Sequence, residues 1–282
     1  MTSGFGKLDE RQRDLVASWL PGAEIVRDLS WGLVGTTVLE VVHGGERYVV
    51  KAGDGLDRQL AREVRAHGEW VAVWSVRGRA PGLVWADAGA KVLVTRFLPG
   101  VLVEGTGHEF RAGTYRQAGE LLAVFHGQFS TVDEDFEART RARALWWLDQ
   151  PHRIDADSLA RLREVIAGWP ASSSVVVVPT HGDWQPRNWV VEDGVVGVID
   201  FGRADLRPAL TDFARLSAQQ FRGRPELEVA FFEGYGERPG DSGAWGRHCV
   251  REAIGTAVWA HQVGDEGFER QGLRMIAEAL EM

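Results

Sequence analysis

One segment of the chain, residues 181–202, carries oxygen-bearing side chains in an order that suits phosphoryl transfer. It reads HGDWQPRNWVVEDGVVGVIDFG, with Asn188 five positions after Asp183 and Asp200 twelve positions after Asn188. Phosphate transfer from ATP needs a carboxylate that takes the proton of the acceptor hydroxyl, and two oxygen ligands that hold Mg²⁺ on the phosphates. The spacing therefore predicts Asp183 as the general base and Asn188 and Asp200 as Mg²⁺ ligands, with His181 bracing the loop by hydrogen bonds.

Each of these residues also has an ordinary structural interpretation. Asp183 is alternatively a turn or capping residue, Asn188 a loop residue and Asp200 a turn former before glycine. Mg²⁺ prefers hard oxygen ligands and takes one or two protein carboxylates beside the phosphates, a demand that one amide and one carboxylate meet. The ordered combination favours the catalytic interpretation.

Two charged residues earlier in the chain are candidates for gripping the phosphates. Lys51 ends the apolar pattern YVVK, where an ammonium can reach the α- and β-phosphates. Glu63 shares a face of the next predicted helix with Leu60 and His67, so it points inward, and a buried carboxylate needs a partner. We expect Glu63 to pair with Lys51, although most lysines at strand ends are simply solvated.

Two further segments are predicted to contact the nucleotide. Residues 30–37 precede a strand and contain Gly32, Gly35 and Thr36, so backbone and hydroxyl groups can approach phosphate oxygens there. An ordinary turn before a strand is the alternative interpretation. Residues 95–98, with Thr95 and Phe97, are predicted from position alone to face adenine through backbone N–H and C=O groups.

Periodicity indicates which elements position these residues. The patterns predict a helix from about residue 9 to 20, a hairpin of strands 36–42 and 47–52, a helix over 58–74, and a second hairpin over 82–98. After Pro99-Gly100 helical patterns dominate, interrupted by β patterns over 175–200 that carry the motif. The sequence thus predicts an α+β fold with a small β-rich N-terminal lobe, residues 1–98, and a larger mainly helical lobe, residues 99–282.

Composition restricts the partners and the compartment. The 282 residues have a formal net charge of −8, which argues against nucleic acid or an anionic membrane as a partner and suits a cationic small molecule. The single Cys249 cannot form an internal disulfide, and neither a secretory signal nor a membrane-length apolar run is visible. A cytoplasmic protein is expected, with monomer and dimer both open.

The motifs YVVKAG, TRFLPG, AGELLAVFH, PTHGDWQPRNWVV, GVIDFGRAD and PALTDFARL resemble the aminoglycoside phosphotransferase family over most of the chain. The resemblance implies the two-lobed, protein-kinase-like fold that this family shares with choline kinases, Asp183 as base, Asn188 and Asp200 on Mg²⁺, and Lys51 with Glu63 on the phosphates of ATP. It also implies a structural role for Asp212, for which a helix N-cap is physically suitable. The chain lacks an Ala-Pro-Glu motif, which argues against a protein kinase, and its loosely similar phosphate loop leaves GTP as an alternative nucleotide.

The acceptor is less well defined than the reaction. A polycationic aminoglycoside would need carboxylates and aromatic faces, for which Trp184, Asp205 and Glu266 are candidates, although such residues more often fill cores or solvated surfaces. Three hypotheses follow: a resistance kinase for aminoglycosides or other hydroxylated antibiotics, a metabolic kinase for choline, an amino alcohol or a sugar, and a nucleotide-binding regulatory protein without catalysis.

Overall fold

The computed structural model describes residues 5–31, 35–170, 173–240 and 242–281. Its helices are α1 (Glu10–Trp19), α2 (Leu60–Glu69), α3 (Ala72–Ser75), α4 (Ala112–His126), α5 (Phe136–Leu148), α6 (Ala156–Ala167), α7 (Ala214–Ala218), α8 (Pro225–Tyr235), α9 (Ser242–Val263) and α10 (Glu266–Ala279). Its strands are β1 (Glu24–Asp28), β2 (Thr36–His43), β3 (Glu46–Gly53), β4 (Leu83–Asp87), β5 (Val92–Arg96), β6 (Val101–Leu102), β7 (Thr131–Asp133), β8 (Val175–Thr180), β9 (Trp189–Glu192), β10 (Val195–Val198) and β11 (Asp205–Arg207). In these ranges no helix is long and apolar enough to cross a membrane.

The N-terminal strands form an antiparallel sheet in the order β1-β2-β3-β5-β4. Side chains alternate between the faces of a strand, and one face buries residues such as Leu39 and Val50 in a core with α1. The other face carries Lys51, which is opposite Val38 of β2 and Leu93 of β5. Both predicted hairpins are confirmed, and the alternation explains why Lys51 faces away from α1.

The first helix is tied to this sheet by a buried glutamine. Asp9 caps α1 by accepting the N–H of Gln12 at 2.8 Å, while the Gln12 side chain accepts the N–H of Asp9. Gln12 Nε2 also donates to the carbonyl oxygens of Gly53 and Ala90 at 2.8 and 2.9 Å. The predicted helix is confirmed, and its first turn holds the end of β3 next to the β4–β5 turn.

The helix predicted over residues 58–74 is instead two helices, so that prediction was partly wrong. Helix α2 ends at Glu69, and Trp70 leaves helical geometry with φ −127°, before α3 begins at Ala72. Gly68, which disfavours the helical conformation, lies in the last turn of α2. The apolar pattern continues across the break because Trp70 and Trp74 are both buried.

By their contacts the residues group into two compact units. The first contains the described residues of Met1–Gln128, His181–Asp205 and Val229–Gly236, and the second those of Phe129–Thr180, Leu206–Glu228 and Glu237–Met282. Residues 181–205 therefore belong to the same unit as the N-terminal sheet, together with the small sheet β10-β9-β6. This is a different division from the predicted lobes 1–98 and 99–282, which stay a prediction.

The second unit is built mainly from helices α5, α6, α9 and α10, whose core includes Leu162 and Ile254. Its Asp212 was expected to be a helix N-cap, and that expectation was wrong. The N-cap position of α7 is Phe213, without a side-chain cap bond, while Asp212 is buried at the end of a 3₁₀ turn, Ala209–Asp212. The α+β class, with β structure concentrated in the N-terminal part, is confirmed.

Candidate active site

The predicted catalytic segment begins with a loop, residues 181–188, called the motif loop below. Its first residue, His181, is fully buried; Nδ1 accepts the N–H of Asp183 at 3.3 Å, and Nε2 lies 3.1 Å from the carbonyl oxygen of Ile199. Since Nδ1 is an acceptor, the ring proton belongs on Nε2, which donates to Ile199. His181 thus braces the motif loop against the residue that follows β10, as the sequence predicted.

The buried carboxylate of Asp183 accepts hydrogen bonds from three side chains of the motif loop. Gln185 Nε2 donates to Oδ1 at 2.6 Å, and Arg187 and Asn188 donate to Oδ2 at 2.8 and 3.0 Å. A 3₁₀ turn, Pro186–Asn188, returns the chain toward Asp183 and permits the last two contacts. These donors fix the orientation of the carboxylate, and orientation is the first requirement for a general base.

Asn188 uses its amide nitrogen entirely on Asp183. Nδ2 donates to the Asp183 carbonyl oxygen at 2.8 Å as well as to Oδ2. An amide nitrogen has two hydrogens, so both are committed, and the amide oxygen is the atom that can bind a cation. The geometry therefore suits Asn188 as an oxygen ligand held next to the candidate base.

Asp200 has an unusual backbone conformation. Its φ is +66°, in the left-handed region that residues other than glycine rarely adopt. Its Oδ1 lies 3.1 Å from Lys51 Nζ, and about half of its side-chain surface, 48%, is exposed. Such strain persists only where the surrounding structure enforces it, and it is concentrated at functional sites.

Lys51 and Glu63 form the predicted ion pair, with 2.8 Å between Nζ and Oε1. Both side chains are largely buried, and Glu63 Oε1 also accepts the N–H of Phe201 at 3.4 Å. Burial opposes the charge of Lys51, but the charges of Asp200 and Glu63 prevail and raise its pKa. Burial raises the pKa of Glu63, whereas the ammonium of Lys51 lowers that of Asp200. The ammonium is thus held between two carboxylates.

Glu63→Gln is expected to weaken nucleotide binding, because it removes one of the two charges that position the ammonium of Lys51. A hydrogen bond to a charged group contributes about 1.5–3 kcal/mol, so the loss in affinity should be on the order of 10- to 100-fold. Calorimetric titration with Mg²⁺ and a non-hydrolysable ATP analogue would measure it. Glu69→Gln, an exposed change at the end of the same helix, is the control, and wild-type affinity in Glu63→Gln would contradict the assignment.

The donor set near the motif loop fits Mg²⁺ bound together with a nucleotide. No group of three or more His, Cys, Asp or Glu side chains that could hold a metal occurs within the described ranges. Mg²⁺ does not require one, since it is commonly held by one or two protein oxygens, water and substrate phosphates. The amide oxygen of Asn188 and the half-exposed carboxylate of Asp200 are oxygen donors of this kind.

The predicted phosphate loop is only partly described, and Gly32 lies outside the described residues. A Cβ on Gly35 would lie 1.8 Å from Asp54 Oδ2, so a larger residue here would require the Asp54 side chain to move. The hydroxyl of Thr36 donates to Asp57 Oδ2 at 2.7 Å, and the other oxygen of Asp57 accepts the N–H of Leu60 at 2.8 Å. Thr36 is therefore linked to the start of α2, and its hydroxyl is already engaged.

The two residues predicted to face adenine lie at the end of β5. Thr95 is buried and pairs with Val49 of β3 on the face that carries Lys51. The N–H of Phe97 donates to the carbonyl oxygen of Arg47 at 3.0 Å, and the Arg47 guanidinium lies 3.6 Å from the Phe97 ring centre. The backbone N–H of Phe97 is thus already used, and a role for this segment in nucleotide binding stays a prediction.

The three acceptor-binding candidates differ in accessibility. Trp184 is only 1% exposed and is stacked on Trp74, so its buried position does not fit direct contact with an acceptor. Its proximity to Asp183 in sequence was misleading because adjacent loop residues can face in opposite directions. Asp205 is partly exposed and paired with Arg65 at 2.6 Å. Glu266 is exposed on α10 of the second unit and lies 3.8 Å from Arg270.

An aromatic cluster supports the motif loop from inside the first unit. The rings of His67 and His181 both contact Phe201 edge-on, at centroid distances of 5.1 and 5.3 Å. Trp74 packs against both Phe201 and Trp184. Helix α2, which carries Glu63, is thereby joined to the motif loop through Phe201.

His67 should make the fold sensitive to acid. Burial, with a smaller effect from the charge of Lys51, lowers its pKa from 6.5 to about 4. The unfolded chain takes up this proton below pH 6.5 and the folded chain only near pH 4, so the free energy of unfolding should fall as the pH decreases through that window. His67→Leu should flatten the slope by at most about 1.4 kcal/mol per pH unit in urea denaturation. An unchanged slope in His67→Leu would contradict this prediction. Part of the slope should remain in the variant, because burial also lowers the pKa of His248 to about 4.

Sequence reasoning missed a polar clamp on the β9–β10 hairpin, which precedes Asp200. The guanidinium of Arg79 donates to the carbonyl oxygen of Val196, and the side chain of Gln117 donates to that of Gly194 at 2.8 Å. Arg79 also donates to Gln117 Oε1 at 3.0 Å. The clamp anchors β10 to α4. The signal was faint, since an arginine after a Gly and a glutamine within a helix are both ordinary surface patterns.

The N-terminal sheet carries a lysine that is paired with a helix glutamate, and it is joined to a loop with an oriented aspartate and to an Asp-Phe-Gly segment. This combination defines a kinase-type phosphotransferase. The chain matches the phosphotransferase enzyme family (APH) over residues 26–252 and belongs to this family. No curated protein sequence matches the chain.

Solved structures share the fold at low sequence identity. A thermostable mutant of aminoglycoside phosphotransferase APH(4)-Ia has a TM-score of 0.68 and 15% identity, covering 96% of this chain and 98% of that one. The choline kinase LicA from Streptococcus pneumoniae has 0.66 and 11%, covering 95% and 97%. The macrolide 2'-phosphotransferase MphH from Brachybacterium faecium has 0.58 and 18%, covering 93% and 95%. At these identities the similarity demonstrates the kinase-like fold and nothing about the acceptor.

Proposed function

We propose that this protein is a Mg²⁺-dependent phosphotransferase that moves the γ-phosphoryl group of ATP to a hydroxyl of a small molecule. The observation that carries the proposal is the ion-pair network of Lys51, Glu63 and Asp200, in the same compact unit as the Asp183–Asn188 pair. Structures of APH(4)-Ia in complex with ADP or AMP-PNP support a nucleotide for this fold. GTP is the alternative nucleotide.

In the proposed reaction, Asp183 orients the acceptor hydroxyl and accepts its proton as the hydroxyl oxygen bonds to the γ-phosphorus. The bond from the γ-phosphorus to the bridging oxygen breaks, and ADP leaves with that electron pair. Lys51, positioned by Glu63, contacts the α- and β-phosphates. Asn188 and Asp200 would hold Mg²⁺, which when bound neutralises charge on the β- and γ-phosphates.

The acceptor proposed first is an aminoglycoside or another hydroxylated antibiotic, which would make the protein a resistance kinase. Neighbours named aminoglycoside and macrolide phosphotransferases support this class. The net charge of −8 favours a cationic acceptor through its long-range field. Asp205 and Glu266 remain candidate contacts for the acceptor, whereas Trp184 is too buried to be one.

A small alcohol such as choline is the second candidate acceptor, because the choline kinase LicA has nearly the same TM-score as APH(4)-Ia. A choline site would need a compact aromatic cage, and an aminoglycoside site a wider acidic surface. A nucleotide-binding regulatory protein without catalysis is the alternative from another class. The presence of Asp183, Asn188, Asp200 and Lys51 together argues against it.

ATP consumption by the purified protein, with Mg²⁺, tests the proposal against a panel of aminoglycosides, macrolides, choline and sugars. Turnover with one acceptor that is absent in Asp183→Ala would support it and identify the acceptor class. Nucleotide binding without turnover on the entire panel would favour the regulatory alternative. Turnover that does not require Mg²⁺ would contradict the metal assignment.

A further inference from the structure

Arg187 contacts the candidate base, Asp183, and the proposed reaction assigns this arginine no role. One of its guanidinium nitrogens is 2.8 Å from Asp183 Oδ2, and its side chain is 30% exposed. The guanidinium also lies over the indole of Trp31, 5.6 Å from the ring centre. Trp31 belongs to the segment predicted to cover the phosphates. Arg187 thus links that segment to the base.

The local sequence explains why Arg187 reaches Asp183 and does not extend into solvent. Pro186 begins a 3₁₀ turn that ends at Asn188, and the turn brings Arg187 back to a residue four positions earlier. A buried carboxylate next to a cation is held much more firmly than one with neutral donors alone, because charge-assisted hydrogen bonds are shorter and stronger. An indole face adds a favourable contact for a guanidinium.

The two carboxylate oxygens of Asp183 have different hydrogen-bond donors. Arg187 and Asn188 both donate to Oδ2, whereas Gln185 alone of these side chains donates to Oδ1. Rotation of the carboxylate would break the two contacts at Oδ2 together. The plane of the carboxylate is therefore fixed chiefly at Oδ2, and small errors in such a plane are costly for proton transfer.

We propose that Arg187 is a positioning residue for phosphoryl transfer, and that Trp31 holds its guanidinium against Asp183. This inference rests on the proposed function. Arg187 acts through the orientation of the base and does not itself bind the nucleotide. It should therefore affect the rate of the chemical step while leaving nucleotide affinity unchanged. A residue that merely stabilises the fold would lower stability without this selective effect on the rate.

The variants Arg187→Gln, Arg187→Lys and Trp31→Ala test the proposal in the full-length protein, with the acceptor from the panel above. Arg187→Gln should lower kcat on the order of 10- to 100-fold, with the KM for ATP within about two-fold of wild type. Arg187→Lys should recover part of the loss because it restores the charge without the fork geometry. Trp31→Ala should have a smaller effect in the same direction. Arg11→Gln, which breaks the exposed Arg11–Asp87 pair, is the control.

A cycle with Asp183→Asn identifies the route of the effect. If Arg187 acts through the base, Arg187→Gln should lower kcat no further in the Asp183→Asn background, measured in single turnovers at high enzyme concentration. If the Arg187→Gln and Asp183→Asn substitutions lower kcat multiplicatively, or if Arg187→Gln keeps wild-type kcat, the inference is overturned while the proposed function stands. If Arg187→Gln fails to fold, as circular dichroism would reveal, Arg187→Lys and Trp31→Ala decide, and wild-type kcat in both would overturn it. A wild-type protein without turnover on any acceptor would overturn the proposed function and this inference with it.

Discussion

Asp183→Ala should abolish most turnover while leaving nucleotide binding nearly intact. General-base catalysis contributes about 10²- to 10⁴-fold to a rate, so a fall in kcat of this size is expected. Binding should survive because the contact to Lys51 is made by Asp200 and Glu63, not by Asp183. Steady-state ATP consumption gives kcat, and calorimetric titration with a non-hydrolysable ATP analogue gives the affinity.

The same variant leaves donors without their acceptor, so its stability must be measured beside its activity. Gln185 and Asn188, which are both buried, lose the Asp183 carboxylate as an acceptor, and unpaired buried donors cost about 1–3 kcal/mol each. Asp183→Asn, which keeps the shape of the side chain, separates loss of the base from loss of packing. Asp14→Ala, an exposed change on α1, is the control. Full turnover in a folded Asp183→Asn variant would remove Asp183 from the role of base.

The parts of the site that were predictable from the sequence are those in which spacing determines geometry. Helical periodicity placed Glu63 on the inner face of α2, and strand alternation placed Lys51 on the sheet face away from α1; the 2.8 Å contact between them follows from both. The bracing role of His181 was also predictable, because a polar ring between a strand and a tight loop has few partners other than the backbone.

The remaining contacts depend on loop geometry, for which spacing is a poor guide. Trp184 and Arg187 belong to the same short loop, yet one is in the core and the other against the carboxylate of Asp183. The loop follows neither the two-residue period of a strand nor the 3.6-residue period of a helix, so no sequence pattern distinguishes these two side chains. The hydroxyl of Thr36 was likewise expected to face phosphate, but its partner is the Asp57 carboxylate, which also accepts the N–H of Leu60 at the start of α2.

Asp200→Asn is expected to abolish the Mg²⁺-dependent part of nucleotide binding. Asparagine tolerates the left-handed backbone of this position better than alanine does, so the variant removes charge without adding backbone strain. The lost carboxylate is both the candidate metal ligand and a partner of Lys51, and an amide cannot replace its charge in either role. Lys51 should stay in place, because its contact with Glu63 is retained.

Thermal unfolding with ADP, with and without Mg²⁺, measures the consequence for binding. A ligand at about 100 times its Kd stabilises a folded protein by about 2.7 kcal/mol, and the share of this stabilisation that depends on Mg²⁺ should disappear in Asp200→Asn. Asp193→Asn is a matched control, since Asp193 is an exposed aspartate that also has a positive φ, 50°, in the turn between β9 and β10. Asp193→Asn likewise places an asparagine at a left-handed backbone position, and it removes one negative charge from the hairpin that precedes Asp200. An Mg²⁺ response equal to wild type in Asp200→Asn would exclude Asp200 as the ligand and leave it only its ion pair with Lys51.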